Sequence, residues 1–503
     1  MQSRGLKLGA IASYLWVAVH IITNFLYAPI LIESIGVREY GLYQIIGSFF
    51  AYISIFESSM SSSVLRYYCQ ALNTESNSEA ENILAICRSI FRKMALSLIP
   101  IGTVLIIIFR LFYASSFSLY EINEGSFMLG LLLANMAVTM LNSVYLSGIN
   151  AQERFVFLKM LEIVEQIAQP ILCYLVLFAY PYAFTALVVQ LVISILNAMI
   201  RYFYATKNCQ VKVVLHHHDH ALSKEIMAFS MTILLAQIAD QIFWKADQII
   251  LGKLYSTAIV AVYSVGSQIY TNYMYTGSTV SQVFFPRISR LYNQEDGEKK
   301  ISDLFIKVGR IAFYCSFLVL VTFIFVGQDF LRLWVGKGFA QAYSVALIVM
   351  VPFTIDIIQN IGISIMQVEN KYHFRAQIYL LAAVLNIFST AIMAKYMGMQ
   401  GAALSTAIAM ALTSGLIMNF YYYRSIHIDI PAFWKNIIFI IMKLIPAIII
   451  SGLIIKMIPN FLLKCLIIVG LYSIDTYFLA MNQEEKAMVQ SVVYKFTKRK
   501  ERS

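Results

Sequence analysis

The chain has 503 residues, 59% of them hydrophobic, with a mean hydropathy of +0.71. Only 13% are charged, about half the share found in a water-soluble domain, which excludes an ordinary soluble enzyme. The net charge of +11 raises nucleic acid as a partner, a reading that the placement of the charges argues against.

In chain order the sequence predicts fourteen apolar spans, at 8–32, 40–64, 90–113, 126–149, 156–179, 181–204, 226–252, 257–285, 308–327, 339–366, 374–396, 399–423, 436–458 and 460–481. Each meets the roughly 20 apolar residues that cross a bilayer. Backbone groups in lipid must bond within their own segment, so runs of this length are helices. The first run is too long for a signal-peptide core and lacks a small-residue cleavage site, so it reads as a retained helix. Longer polar breaks fall near 65–89, 205–225 and 286–307, all on one side, and the largest break on the other side is 114–125. The expected fold is an all-α polytopic membrane protein of two six-helix bundles and two appended helices. Its divisions are 1–204, a linker at 205–225, a second bundle at 226–424, and 425–503 with a basic tail.

If the spans alternate sides, 28 Lys and Arg lie on the side of the termini and 8 on the other. This is the positive-inside bias, and it predicts cytoplasmic termini. It also explains the basicity through topology and anionic lipid contact rather than nucleic acid. The six cysteines are scattered, with no CxxC pair, and predict neither a disulfide framework nor a metal cage. The His216–His220 tract reads as a solvated linker.

A shift of 220 residues lays span 7 on span 1 and span 8 on span 2, with Leu31 on Leu251 and Tyr43 on Tyr263. Two parallel repeats are therefore expected. Polar residues inside spans are costly and should share a face shielded from lipid. At helical spacing, span 1 carries Trp16, His20, Asn24 and Tyr27, and span 2 carries Ser48, Tyr52, Ser59, Ser62, Ser63 and Arg66. Span 7 carries Gln237, Asp240, Gln241, Trp244 and Gln248, flanked by Lys245 and Asp247. The shift lays Ser48 on Gln268 and Tyr52 on Asn272 in span 8. These four faces are expected to line a wet cavity. Asp247, near the end of its span, reads as an anchor, and Glu57, opposite the span 2 stripe, as a partner for another helix. Span 5 bears Lys159, Glu162, Glu165, Gln166 and Gln169, and span 10 bears Asp356, Asn360 and Gln367.

The sequence lacks the phosphate-binding loop of an ATPase and the HExxH and GxSxG patterns of hydrolases. Tyr40-Gly41-Leu42-Tyr43-Gln44 opening span 2, Ala246-Asp247-Gln248-Ile249-Ile250-Leu251-Gly252 closing span 7, and Gly398-xx-Gly401-Ala402-Ala403 before span 12 carry a resemblance over nearly the whole length. The chain resembles the Wzx-type polysaccharide flippases of the multidrug/oligosaccharidyl-lipid/polysaccharide exporter superfamily. The resemblance implies a V-shaped pair of bundles in a bacterial inner membrane. It also implies alternating access that carries an undecaprenyl-diphosphate-linked oligosaccharide to the outer leaflet for O-antigen (lipopolysaccharide), capsule or exopolysaccharide assembly. It further implies membrane lipids, polymerases and glycosyltransferases as partners, and no cofactor.

On this reading Lys245, Arg66 and His20 attract the diphosphate, while Asn24, Gln241, Gln268 and Asn272 bond sugar hydroxyls. Asp240, Asp356 and Glu165 are the candidates for ion coupling. The rivals are an ion-coupled drug or cation antiporter with an acidic pocket, a peptidoglycan-precursor flippase, and a membrane-embedded sugar polymerase or ligase. The last should carry a large outer loop, which this sequence lacks.

Overall fold

The computed structural model describes the backbone of residues 2–72, 77–217, 219–292 and 294–500. Side chains are described in these stretches except at 2–14, 77, 232, 235–236, 239–240, 242, 275–283, 286 and 492–500. Among the described residues every regular element is helical. Fifteen α-helices follow in order: α1 Gln2–Leu72, α2 Asn77–Tyr113, α3 Leu119–Ala151, α4 Phe155–Leu177, α5 Ala183–Lys207, α6 His220–Leu254, α7 Thr257–Tyr292, α8 Gly297–Trp334, α9 Ala342–Ile358, α10 Ile361–Val368, α11 Tyr372–Met410, α12 Met418–Ser425, α13 Ile430–Ile455, α14 Phe461–Asp475 and α15 Gln483–Lys500.

All fourteen expected spans fall on helix. Nine described helices are long and apolar enough to cross a membrane, or ten if the bent pair α9–α10 is one span. Two of them hold two expected spans each. Gly36 (φ 81°) breaks α1 between spans 1 and 2, and Gly398 (φ 63°) breaks α11 between spans 11 and 12. Glycine alone enters that region without a steric cost. The polar-striped α6 and α7 are not among the nine. The count of fourteen therefore remains an expectation.

The contacts divide the chain into two compact units. The first comprises residues 1–265 and 379–402, the second 266–378 and 403–503. In the first unit α1 packs on α3, α4 and α6, and α3 on α2 and α5. One of its apolar clusters gathers Met60, Val64, Leu84, Phe91, Met140, Val144 and Ile226. In the second unit α8 packs on α9, α13 and α14. An ion pair ties α15 to α8, with Arg310 Nε donating to Glu485 Oε1 at 2.7 Å and Nη2 to Oε2 at 2.9 Å. Glu485 also closes the α15 N-terminus, accepting from the Asn482 amide at 2.9 Å while its own amide donates to Asn482 Oδ1 at 2.8 Å. Burial pushes the Glu485 carboxyl up, but the Arg310 guanidinium and the Asn482 amide outweigh it and hold it below its ordinary value.

Candidate functional site

In the first unit the second segment of α1 (37–72) runs beside α6. Both carry polar side chains at helical spacing, so the two polar faces can meet along a seam. The seam is fastened at both ends. Ser48 donates to Gln248 Oε1, and both residues are buried. Some four turns further along α1, Ser230 donates to Ser63 Oγ at 2.7 Å, also in a buried position. Between these fastenings lies a cavity of about 400 Å³ lined by Ser54, Ile55, Glu57, Ser58, Gln237 and Gln241. Ser58 bridges it by donating to Gln237 Oε1.

Among the described residues of the lining, Glu57 is the charged one. Its Oε1 accepts from Ser143 of α3 at 2.6 Å and from Ser61 at 3.2 Å, which offsets part of the cost of a carboxylate away from bulk water. It therefore meets another helix, as its face predicts, and lines the hollow as well. Gln241 lies in the lining as expected. Lys245, one turn further along α6, is half-buried. Arg66 is exposed, with its guanidinium 4.2 Å from the centre of the Phe229 ring. The side chain of Asp240 lies outside the described residues.

The span 1 stripe turns to α4 rather than to this seam. His20 Nδ1 lies 3.3 Å from Gln166 Oε1, and His20 Nε2 lies 3.0 Å from Asn24 Nδ2. Trp16 stacks on His20 with ring centres 5.2 Å apart, and Lys159 lies over Trp16 at 4.5 Å while pairing with Glu162 at 2.7 Å. Glu165 is half-buried and sits in the field of Arg201 of α5. The polar faces of spans 1 and 5 thus meet each other. Periodicity gives a face but not the helix it meets.

Asp247 departs from its expected role as an anchor. It is 2% exposed. Its Oδ2 accepts from Tyr263 of α7, and its Oδ1 from Thr390 of α11 at 3.0 Å. Thr390 also lies 3.4 Å from Asn386 Oδ1. An aspartate inside an apolar span, in Lys-Ala-Asp-Gln-Ile-Ile, was the signal available for it in the sequence.

Beyond Gln248 the unit is fastened again, now across α2, α3, α6 and α7. Tyr113 donates to the Ile249 carbonyl at 3.0 Å and Ser116 to the Lys253 carbonyl at 2.6 Å. Lys253 Nζ donates to Ser115 Oγ at 2.9 Å and Thr257 to Glu121 Oε1 at 2.9 Å. Gly41, in the motif that opens span 2, lets α1 touch the start of α7. A Cβ there would lie 1.8 Å from the Thr257 carbonyl oxygen.

The second unit holds its own polar cluster where span 10 breaks between α9 and α10. Asp356 is 8% exposed and accepts from Ser414 at 3.0 Å, with Arg375 Nη2 at 3.5 Å. Ser414 lies on a π-helical turn, Ala411–Ile417, the kind of helix defect common at functional sites. Gln359 and Trp434 both donate to Asn419 Oδ1, at 2.8 and 2.9 Å. Asn272 and Gln268 belong to this unit too. Asn272 Nδ2 donates to the Gln268 carbonyl at 2.8 Å, and its buried Oδ1 accepts from no donor among the described residues. Among the described residues no group of three or more His, Cys, Asp or Glu side chains could hold a metal ion. In the linker His216 pairs with Glu81 at 2.8 Å and His217 lies 3.3 Å from Asn82.

The sequence profile described as polysaccharide biosynthesis protein matches residues 9–292. A capsular polysaccharide biosynthesis protein CapF from Staphylococcus aureus is 26% identical over 236 residues, 46% of this chain and 57% of that relative's length. Among solved structures, the lipid II flippase MurJ in an inward closed conformation aligns with a TM-score of 0.73 at 16% identity. The alignment covers 93% of this chain and 98% of that one. A multidrug resistance MATE family transporter of the MOP superfamily, inward-facing, aligns with a TM-score of 0.65 at 12% identity over 83% and 96%. At these identities the structural likeness establishes the fold, an all-helical, multi-pass membrane transporter fold.

Proposed function

This chain belongs to the polysaccharide biosynthesis protein family, and we propose that it is a flippase for a lipid-linked oligosaccharide. The observation that carries the reading is the cavity of about 400 Å³ between α1 and α6. Its hydroxyl and amide lining (Ser54, Ser58, Gln237 and Gln241) suits sugar hydroxyls, each of which needs a partner once it leaves water. Lys245, four residues beyond Gln241, and Arg66, beyond the Ser63 end, would attract the diphosphate, because a cation at lower dielectric binds an anion more strongly than in water. His20 would join Lys245 and Arg66 in attracting the diphosphate, while Asn24 on α1, and Gln268 and Asn272 on α7, would bond sugar hydroxyls.

The cargo would be a polyprenyl diphosphate carrying a unit of O-antigen, capsule or exopolysaccharide. The movement would run from the cytoplasmic to the outer leaflet of a bacterial inner membrane by alternating access of the two six-helix repeats, with both termini cytoplasmic. Asp356, Glu165 and Asp240 are proposed for ion coupling, and Asp247, hydrogen-bonded from two helices, joins them as a stronger candidate than its position in the sequence suggested.

The test is a strain lacking this protein. It should accumulate lipid-linked glycan on the cytoplasmic leaflet, and the wild-type chain should clear it while Lys245→Ala and Gln241→Ala should not. Normal surface polymer in the deletion strain would refute the reading. Glu57, a carboxylate in the lining, favours a second reading, antiport of an organic cation. That reading predicts cation efflux abolished by Glu57→Gln, whereas saccharide transport tolerates the same change.

A further inference from the structure

Beyond the fastenings of the α1–α6 seam, at the end of the first unit where Gly36 breaks α1, two carboxyl groups from distant parts of the chain face each other. Glu39 stands two residues before Gly41, and Glu124 lies on α3, one turn after Glu121. Gly125 brings the two helices close, since a Cβ there would lie 3.3 Å from Leu42 Cδ1. Glu124 is only 8% exposed, and among the described residues its carboxyl oxygens accept no hydrogen bond of ordinary geometry, with the Tyr120 phenol and the Glu39 carboxyl beside them. Glu39 is half-buried, and its Oε2 accepts from the Ala183 amide of α5 at 3.2 Å.

The groups that act on Glu39 are the Glu124 carboxyl, the Tyr120 phenol and the Ala183 amide, none of them a cation. The nearby charges are engaged elsewhere. Glu121 accepts from Ser118 and Thr257, Arg110 donates to Asn123 and Ser126, and Lys253 donates to Phe112 and Ser115. Arg38 is exposed. A buried carboxyl beside a second carboxyl, with a phenol and an amide but no cation acting on the pair, is the arrangement in which one proton is retained and shared. Both members sit on the helices that grip Thr257. Glu39 is on α1, where Gly41 meets the Thr257 carbonyl, and Glu124 is on α3, where Glu121 receives the Thr257 hydroxyl.

We infer that Glu39 and Glu124 form a proton-binding site whose shared proton keeps the Gly41–Thr257 contact closed, and whose release separates the carboxylates and loosens that contact. This is a device for proton-dependent opening at the face that the charge bias assigns to the exterior. Burial first, and the Glu124 carboxyl second, push Glu39 from 4.5 up to about 7. The sign follows from that direction. Below pH 4.5 the group is protonated in folded and unfolded chain alike, and the contact is at full strength. As pH rises through about 7 the folded pair loses its proton and the contact weakens.

The test uses the full chain in lipid nanodiscs without substrate, so its outcome is independent of the transport reading. Infrared titration should reveal a protonated-carboxyl band that disappears with a midpoint near 7 in the wild type, and Glu39→Gln and Glu124→Gln should each abolish that transition. Hydrogen exchange of the amides from Thr257 to Tyr263, corrected for intrinsic rates, should lose about tenfold in protection for about one pH unit of shared-proton loss, and this loss should vanish in both variants. A wild-type chain with no carboxyl transition near neutrality would overturn the proton site. A transition that leaves exchange at Thr257–Tyr263 unchanged would overturn its coupling to the contact.

Discussion

Replacing Gly41 with Ala tests the closure of the first unit at its tightest point. The new methyl carbon would sit 1.8 Å from the Thr257 carbonyl oxygen, 2.5 Å from its carbonyl carbon and 3.1 Å from its Cα. All three are backbone atoms, so no side chain can swing away to make room. Forcing extra volume into a packed site costs about 1–3 kcal/mol. Moving Thr257 off Glu121 sacrifices a hydrogen bond to a charged group, worth about 1.5–3 kcal/mol. Together these give a destabilisation of about 2.5–6 kcal/mol. The internal control is Gly47, six residues further along the same helix, where an added Cβ meets nothing within 4 Å. There the change to Ala should stabilise by about 0.5–1 kcal/mol through helix propensity alone. Thermal unfolding of the purified variants in one detergent compares them directly, with Gly41→Ala melting several degrees below wild type and Gly47→Ala at or above it. Equal melting temperatures for the two would refute the claim that α1 and α7 meet at Gly41.

Three further outcomes follow from the same geometry. Ser48→Ala removes the hydroxyl that meets buried Gln248 and should cost about 1–3 kcal/mol, with a double-mutant cycle against Gln248→Leu returning a coupling of about 1 kcal/mol. Arg310→Ala strands Glu485 and should cost about 3–5 kcal/mol, read as faster proteolytic release of α15, whereas Arg310→Met combined with Glu485→Leu recovers most of that loss. Glu485 is held below its ordinary 4.5, so the anchorage of α15 is present above that pH and should weaken as pH falls through the lower folded value; release by an acid protease that stays flat below pH 4.5 would contradict it.

The helices and their breaks were readable because lipid leaves the backbone no other solution. Apolar length gave the spans, and Gly36 and Gly398 fall between predicted pairs. Gly41 was visible as part of a motif, but its reason, a backbone contact with Thr257 more than two hundred residues away, was not. The polar faces were readable and their partners were not. Span 2 meets span 7 as its stripe suggested, whereas span 1 meets span 5, because a helical repeat specifies an azimuth and says nothing of which helix will cover it. Asp247 looked terminal in sequence and is buried by Tyr263 and Thr390, which arrive from other helices. The Glu39–Glu124 pair lay beyond sequence reading for a further reason. Both residues stand just outside the apolar windows, where a carboxylate ordinarily meets water.

The central claim, movement of a lipid-linked saccharide through this protein, is tested most directly in vesicles. The purified chain is reconstituted with a fluorescent polyprenyl-diphosphate saccharide, and a membrane-impermeant quencher reports the outward-facing fraction over time. Redistribution between leaflets that requires the wild-type chain and slows at least tenfold in Gln241→Ala is the predicted result, corresponding to about 1.4 kcal/mol of lost interaction. A probe that stays in its original leaflet, in vesicles where the same protein drives efflux of an organic cation, would contradict the account.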